Sequence, residues 1–203
     1  MFYEVDDTHG EWFESVVTAW TALASAAGLW RITSSGHLDT THDRKFHAGA
    51  SSLVSRVPVG ATLTGPPQLV TNIAVPTLSA SAESLHFLPD RVLARAGRRF
   101  TDITYDTLQS SFETTTFIEG GSVPGDSIQV ASTWEHVNVR GGPDRRFSSN
   151  RQLPVLQYGE LTLATKSGLL WTLNCSDVKT AADVTAALRE AEPPKVVEEA
   201  EPT

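Results

Sequence analysis

The sequence predicts an α+β protein that is mostly antiparallel β, a partly open barrel or a sandwich, with an amphipathic helix at each end of the domain. Three observations support this. Apolar residues recur at helical spacing over residues 7–28, and short β-branched and aromatic segments fill residues 52–174. Helical spacing returns over residues 177–191. We therefore expect one globular domain over residues 1–191, followed by a disordered acidic tail or a linker over residues 192–203.

The N-terminal helix has signals at both ends. Thr8 precedes Glu11 by three residues, which is the spacing of a capping box, and Gly28 is expected to end the helix. Its apolar stripe consists of Trp12, Phe13, Val16, Val17, Trp20, Leu23, Ala24 and Ala27. A stripe this rich in aromatic residues predicts packing against a sheet.

The middle of the chain carries ten strand-like segments separated by Gly, Pro, Asp or Ser clusters. They read SLVSRV, QLVTNIAV, SLHFL, RVLAR, FTDITY, TTTFIE, SIQVAST, WEHVNV, ELTLAT and LLWTLN. Their close spacing leaves no room for parallel crossovers, so we expect antiparallel pairing, with Gly97 and Gly168 in tight hairpin turns. The preceding segment, RITSSGHLDTTHDRKFHAGASS, is polar and predicts a long loop or short irregular strands.

The C-terminal helix is predicted to begin at one of two caps. Asp177 precedes it, and Thr180 with Asp183 resembles a capping box. Ala181, Val184, Ala187 and Leu188 form its apolar face. The segment that follows, with paired prolines and several glutamates, lacks aromatic residues.

Composition limits the class of protein. The formal net charge is −8, which disfavours a general nucleic-acid binder without excluding one. No apolar stretch is long enough to cross a membrane, and acidic residues stand where a signal peptide would carry basic ones, so we expect a cytoplasmic protein. The single cysteine, Cys175, excludes an internal disulfide and is interpreted as a small buried residue. No cofactor is indicated.

Several segments together resemble a known type of domain. SLHFLPDRVLARAGRRFTDITYDTL and a final hairpin, ELTLATKSGLLWTLNCSD, that leads into a helix are similar to bacterial pleckstrin-homology-like domains. The segments TNIAVP, FIEGGSVPGD, GGPDRRF and NRQLPV also resemble an uncharacterised family of bacterial domains found inside larger proteins. The resemblance covers roughly residues 1–176 and implies an antiparallel barrel plugged by the C-terminal helix. It also implies that this chain is one part of a longer polypeptide, and it implies no activity.

The arginines are unevenly distributed. Eight of the twelve fall in two windows, RVLARAGRR and RGGPDRRFSSNR. These are Arg91, Arg95, Arg98 and Arg99 in the first window and Arg140, Arg145, Arg146 and Arg151 in the second. Such clusters in an acidic protein indicate candidate sites for an anionic ligand or an acidic partner.

The second window is the leading candidate site. Gly141, Gly142 and Pro143 predict a turn, and Asp144 is expected to accept hydrogen bonds from nearby backbone amides. In one interpretation Arg145 and Arg146, which point to opposite faces if a strand follows, bind an anion together with Arg151 and with Arg91 of the Pro-Asp-Arg triplet. The two arginine clusters would then merge into one basic face.

In the alternative interpretation the same groups are structural. Asp144, Arg145 and Arg146 would then pair with Asp90, Glu119 or Asp126 and brace loops against the barrel.

Histidines and tryptophans provide weaker signals. His37, His42 and His47 lie five residues apart with Asp39 and Asp43 between them, which we interpret as a polar loop rather than a metal site. His86 and His136 are expected to be half-buried in strands, where Glu135 would face away from His136. Trp12, Trp20, Trp30, Trp134 and Trp171 are interpreted as core residues rather than base-stacking platforms.

These observations favour a non-catalytic recognition or scaffolding module that binds a protein partner, other domains of the same polypeptide or an anionic ligand. Two alternatives remain open. One is an enzyme or enzyme subunit acting on a phosphate-containing substrate, with His136, Asp144 or the histidine loop supplying acid and base groups. The other is a nucleotide or nucleic-acid sensor. No recognised nucleophile or phosphate-loop motif is present.

Overall fold

The structure, a computed structural model, describes Tyr3, residues 7–37 and residues 52–191. Helix α1 spans Asp7–Ser25 and helix α2 spans Val178–Arg189. The strands in the described part of the chain are β1 (Leu29–His37), β2 (Ser52–Pro58), β3 (Gly60–Thr62), β4 (Thr77–Ala80), β5 (Glu83–Phe87), β6 (Val92–Ala96), β7 (Arg99–Ile103), β8 (Leu108–Ile118), β9 (Ile128–Trp134), β10 (Gln152–Thr165) and β11 (Leu170–Cys175). All their pairings are antiparallel, which confirms the predicted α+β, mostly antiparallel class.

The strands form two sheets. The larger has the order β2-β1-β11-β10-β8, and β9 pairs with the beginning of β10. The smaller is a meander in the order β3-β4-β5-β6-β7. Strands β2 and β3 are separated by Val59 alone, so one continuous segment contributes a strand to each sheet. This connection keeps the two sheets close enough to share a core.

The core lies between the sheets and the helices. The predicted stripe of α1 is confirmed in its central part, because Phe13, Val16, Trp20 and Leu23 are all buried. Its last two members were wrong, since Ala24 is exposed and Ala27 lies beyond the end of the helix. Helix α2 packs on β10, where Gly159 allows the close approach: a Cβ atom at this position would lie 2.6 Å from the Cβ of Ala181. Helix α1 packs instead on α2 and on strand β3 of the smaller sheet, and both helices contribute to a common apolar cluster.

An ion pair joins strand β2 to the residue that follows β8, at the other end of the strand order of the larger sheet. Arg56 of β2 donates from Nη2 to Glu119 Oε2 at 2.5 Å, and Glu119 directly follows β8. Because β2 and β8 stand at opposite ends of the strand order, the sheet must curl for these side chains to meet. On the face of this sheet opposite α2, called the outer face, Tyr158 is fully buried, and its ring lies against those of Trp30 and Phe117.

The hairpin and cap predictions are also confirmed. Gly97 and Gly168 have positive φ in the β6–β7 and β10–β11 turns. Asp177 is the cap of α2, and its carboxylate accepts hydrogen bonds from the backbone amides of Lys179 and Thr180. Thr180 is therefore not the cap, and its hydroxyl donates to Asp177 Oδ2 at 2.8 Å.

We expect Asp177→Ala to lower the free energy of unfolding by about 1 kcal/mol, because two amides at the start of α2 lose their acceptor. Urea unfolding followed by circular dichroism measures the change. Asp183→Ala is the matched control, since Asp183 forms an exposed i,i+4 pair with Lys179 and caps nothing. Equal losses in the two variants would contradict the capping role.

The ends of α1 differ from the prediction. The helix begins at Asp7, so Thr8 lies within it rather than at its cap, and it ends at Ser25, before Gly28. Gly28 is required for a different reason. The Trp30 ring packs on its backbone, and a Cβ atom there would lie 2.0 Å from Trp30 Cη2.

Three segments of the middle region were wrongly predicted. Residues 29–37 form β1, a nine-residue strand with one register shift, rather than the long loop that was one of the two predictions here, because pairing with β2 and β11 outweighs the polar composition of this segment. Residues 68–75 are not a strand: they follow two prolines, and Val70 is 69% exposed. Residues 135–139 leave the sheet after Trp134, because they belong to the loop described below.

None of the helices in the described residues is both long and apolar enough to cross a membrane. Cys175 is buried and free, as expected.

Candidate functional site

The predicted arginine turn forms the tip of a hairpin. We call residues 135–151, which connect β9 to β10, the β9–β10 loop. Its base continues the strand pairing, since the Glu135 amide donates to the Arg151 carbonyl at 2.9 Å. Above it the Asn150 side chain bridges the two arms, accepting from the His136 amide at 2.9 Å and donating to the His136 carbonyl at 2.7 Å. The loop is therefore closed by hydrogen bonds of its own residues.

The tip is organised by Asn138. Its backbone amide donates to the Gly142 carbonyl at 2.7 Å, and its side-chain oxygen accepts from the amides of Arg140 and Gly142. Gly141 supplies the positive φ, 82°, that the turn requires. The glycine pair was predicted to form this turn, whereas the central role of Asn138 was not.

Asp144 has the local role that the sequence predicts. Its carboxylate is buried and accepts a hydrogen bond from the Arg146 amide at 3.1 Å, an Asx turn. The same carboxylate binds the Arg146 guanidinium through Nε and through Nη2, the latter at 2.5 Å. Arg146 is thus anchored on one edge, while its side chain stays 73% exposed.

Arg151 and Arg91 are braced by other carboxylates. Arg151 binds Glu135 and the Gly120 carbonyl. The hydrogen bond from Arg151 lowers the pKa of Glu135. Arg91 binds Asp90 at 2.7 Å and Asp102 at 2.9 Å at the β5–β6 turn. Arg91 and Arg151 therefore follow the structural interpretation, in which the arginines form ion pairs that hold loops in place.

The partners proposed for bracing were wrong. Asp90 binds Arg91, Glu119 binds Arg56, and Asp126 accepts from the Ala27 amide. Within the described ranges, no hydrogen bond or ion pair joins Arg91 to the β9–β10 loop, so contacts do not merge the two arginine clusters.

Arg140 and Arg145 differ from the braced arginines. Both are exposed, and no carboxylate of the described residues forms an ion pair with either. Strand β10 begins at Gln152, so no strand follows Arg145 and Arg146 to place them on opposite faces. Exposed apolar groups lie in the same loop: Val139 is 76% exposed and Phe147 is 36% exposed. Arg145 was expected at the site, and Arg140 is added by the structure.

His136 and Glu135 do not form an acid–base pair. Glu135 binds Arg151, while the His136 ring stacks on Phe147 with centroids 3.8 Å apart. His136 Nδ1 is buried and lacks a hydrogen-bond partner in the described structure. His86 is fully buried rather than half-buried, and both of its ring nitrogens contact hydroxyl groups.

Most of the histidine loop lies outside the described residues, although His37 is the last residue of β1. His42, His47, Asp39 and Asp43 lie outside the described residues, as does the acidic tail over residues 192–203. In the part that is described, no group of three or more His, Cys, Asp or Glu residues could hold a metal ion.

The tryptophans mostly follow the prediction. Trp20 and Trp171 are buried in the core, and Trp12 packs between the helices, with its indole N–H donating to the Ala187 carbonyl at 2.7 Å. Trp30 is an exception, because its ring lies over the Arg56 guanidinium on the outer face of the larger sheet. Trp134 is partly exposed at the end of β9.

Comparison of the chain with models of protein families, with curated proteins and with solved structures finds no match in any of the three. The relation to pleckstrin-homology-like domains therefore stays a prediction.

Proposed function

We propose that this protein is a non-catalytic recognition module that binds an acidic partner through the β9–β10 loop. Arg140 and Arg145 make the main contacts, and the outer edge of Arg146 assists. The observation that carries the proposal is that the loop is closed by its own hydrogen bonds while these two arginines remain exposed without an acidic partner among the described residues.

Preorganisation supports a binding role. Asn138, Asp144 and Asn150 direct their side-chain polar atoms into the loop rather than to solvent. A loop held in this way loses little conformational entropy when a partner binds, so more of the contact energy becomes affinity.

Charge and composition also support an acidic partner. The loop carries four arginines against two carboxylates, within a protein whose formal net charge is −8. The positive loop attracts an anionic partner, whereas the remaining, mostly acidic surface repels it. This difference favours one orientation of binding. Exposed Val139 and the aromatic ring of Phe147 beside the arginines supply the apolar and aromatic contacts common at protein interfaces.

The test is charge reversal. We expect Arg140→Glu with Arg145→Glu to weaken binding of a fluorescein-labelled octaglutamate peptide by about tenfold or more, measured by fluorescence polarisation at low ionic strength. The melting temperature should not change, because both side chains are exposed.

The matched control is Arg98→Glu with Arg99→Glu, which makes the same change in net charge on the exposed β6–β7 hairpin. This variant should keep the peptide affinity of the unmodified protein. Equal weakening by both variants would show that only net charge matters. Absence of peptide binding to the unmodified protein would contradict the proposal directly.

A further inference from the structure

Among the described strands β9 pairs with β10 alone, so no described strand occupies its other edge, which we call the free edge. Every residue from Ile128 to Ser132 is exposed. Two of these are large apolar residues, since Ile128 is 56% and Val130 is 48% exposed. The segment contains no charge and no proline, which are the usual means of protecting an edge from further pairing. Its exposed apolar groups therefore indicate a binding surface.

The backbone at the end of β9 is oriented for strand addition. Ser132 lies opposite Pro154, and the Pro154 carbonyl accepts from the Glu119 amide on the β8 side. In an antiparallel pair, opposite residues turn their polar groups either towards each other or away from each other. Because Pro154 faces β8, Ser132 turns its N–H and C=O towards the free edge.

The next outward residue is Trp134. Glu135 donates its amide towards β10, to the Arg151 carbonyl, so the residue before it faces the free edge. The outward groups of Ser132 and Trp134 therefore lead directly to the β9–β10 loop, which begins at Glu135. A chain paired along this edge continues towards the exposed Arg140 and Arg145.

We infer that β9 is a docking strand, and that the partner is a protein segment that adds to its free edge in an extended conformation. This inference rests on the proposed function and specifies its partner. The segment would carry apolar residues at every second position, where they contact Ile128 and Val130. It would carry acidic residues where it reaches the loop. Backbone hydrogen bonds to Ser132 and Trp134 would supply affinity, and the arginines would select for acidic sequences.

Peptides selected from a random display library on the whole chain test the inference. We expect the enriched peptides to combine alternating apolar residues with acidic residues. Ser132→Pro should weaken their binding by about tenfold or more, because it removes the outward N–H and blocks the edge, whereas Ser132→Ala should retain affinity. Val130→Lys, at an exposed position, is a second variant that should weaken binding without affecting folding.

The outcomes separate this inference from the proposed function. If Ser132→Pro and Val130→Lys bind the peptides normally while Arg140→Glu with Arg145→Glu does not, strand addition is wrong and the acidic-partner site stands. If neither pair of changes affects binding, or if no peptide is enriched, both are wrong. Light scattering that shows a dimer of the unmodified protein, dissociated by Val130→Lys, would assign the edge to a second copy of this chain and overturn the inference.

Discussion

Glu119→Ala is expected to lower the free energy of unfolding by about 3–5 kcal/mol, the usual cost of removing one partner of a buried ion pair. The Glu119 side chain is 7% exposed and that of Arg56 is 18% exposed. Glu119 Oε2 accepts hydrogen bonds from Arg56 and from the Tyr158 hydroxyl, and Glu119 Oε1 accepts from the Gly121 amide. Burial raises the pKa of Tyr158 to about 12, so its phenol keeps the proton that it donates. The alanine variant removes the acceptor of all these groups.

The Arg56 guanidinium cannot easily find another partner. It lies between the rings of Trp30 and Phe117, 4.1 Å and 4.2 Å from their centroids. Its Nη1 atom is already buried without a hydrogen-bond partner in the described structure. Loss of Glu119 would leave a desolvated charge held between two rings, which explains why the expected cost exceeds that of an ordinary ion pair.

Thermal and urea unfolding measure the effect. A cost in this range corresponds to a fall in melting temperature of about 10 °C for a domain of this size. Glu135→Ala is the matched control, because it breaks the exposed pair with Arg151 and should leave the midpoint essentially unchanged. A double variant, Arg56→Met with Glu119→Leu, should recover most of the loss. Similar small changes in both alanine variants would contradict the role assigned to Glu119.

Features set by neighbouring residues could be predicted from the sequence, whereas the ion pair between Arg56 and Glu119 could not. Local signals were sufficient for the central part of the apolar stripe of α1 and for the turns at Gly97 and Gly168, and they narrowed the cap of α2 to Asp177 or Thr180, because each depends on residues a few positions apart. The pairing of Arg56 with Glu119 depends on how a sheet curls, and these residues are 63 positions apart. No spacing rule connects them, so the sequence suggested Arg145 or Arg146 as partners of Glu119 instead.

Strand β1 shows a related limit. Its polar composition predicted a long loop or short irregular strands, yet it is a nine-residue strand between β2 and β11 in the larger sheet. Arg31 illustrates the reason: it binds Glu83 of the smaller sheet, and its guanidinium lies 4.1 Å from the centroid of the Trp171 ring. A charged residue that is accommodated by long-range contacts has no local signature of burial.

At the candidate site, the short-range part was predictable. The turn and the Asx bond of Asp144 follow from Gly, Pro and Asp in sequence, and they are present. Which arginines remain available was not predictable, because it depends on whether a carboxylate lies nearby in space. Arg146 and Arg151 are anchored by Asp144 and Glu135, whereas Arg140 and Arg145 are exposed.

The second large effect concerns His86 and the pH dependence of stability. His86 is 4% exposed, and its ring nitrogens lie 2.9 Å from the hydroxyls of Thr77 and Ser84. Burial, with a further contribution from the positive charge of Arg95, lowers the pKa of His86 from 6.5 to about 4. The ring of Phe100, whose centroid lies 6.4 Å from that of His86, carries no charge. The folded protein therefore keeps this imidazole neutral at pH values where the unfolded chain would protonate it.

The sign of the effect follows from proton binding. Between pH 6.5 and pH 4 the unfolded state binds more protons at this residue than the folded state, so stability falls as the pH falls through this window. The contribution is fully present above pH 6.5, and its loss approaches about 3 kcal/mol near pH 4. Carboxylates titrate in the same range, so the comparison requires a variant without the histidine.

We expect His86→Gln to lose this component: its free energy of unfolding, measured by urea titration at several pH values, should fall less steeply between pH 6.5 and pH 4 than that of the unmodified protein. The slopes are compared, rather than the absolute stabilities, because the substitution itself disturbs a buried site. Arg95→Gln is a second variant that keeps the histidine and removes the nearby charge, so it should raise the pKa of His86 and give an intermediate slope. Identical slopes in all three proteins would mean that His86 is protonated equally in the folded and unfolded states, and that its two hydroxyl contacts do not hold a neutral ring.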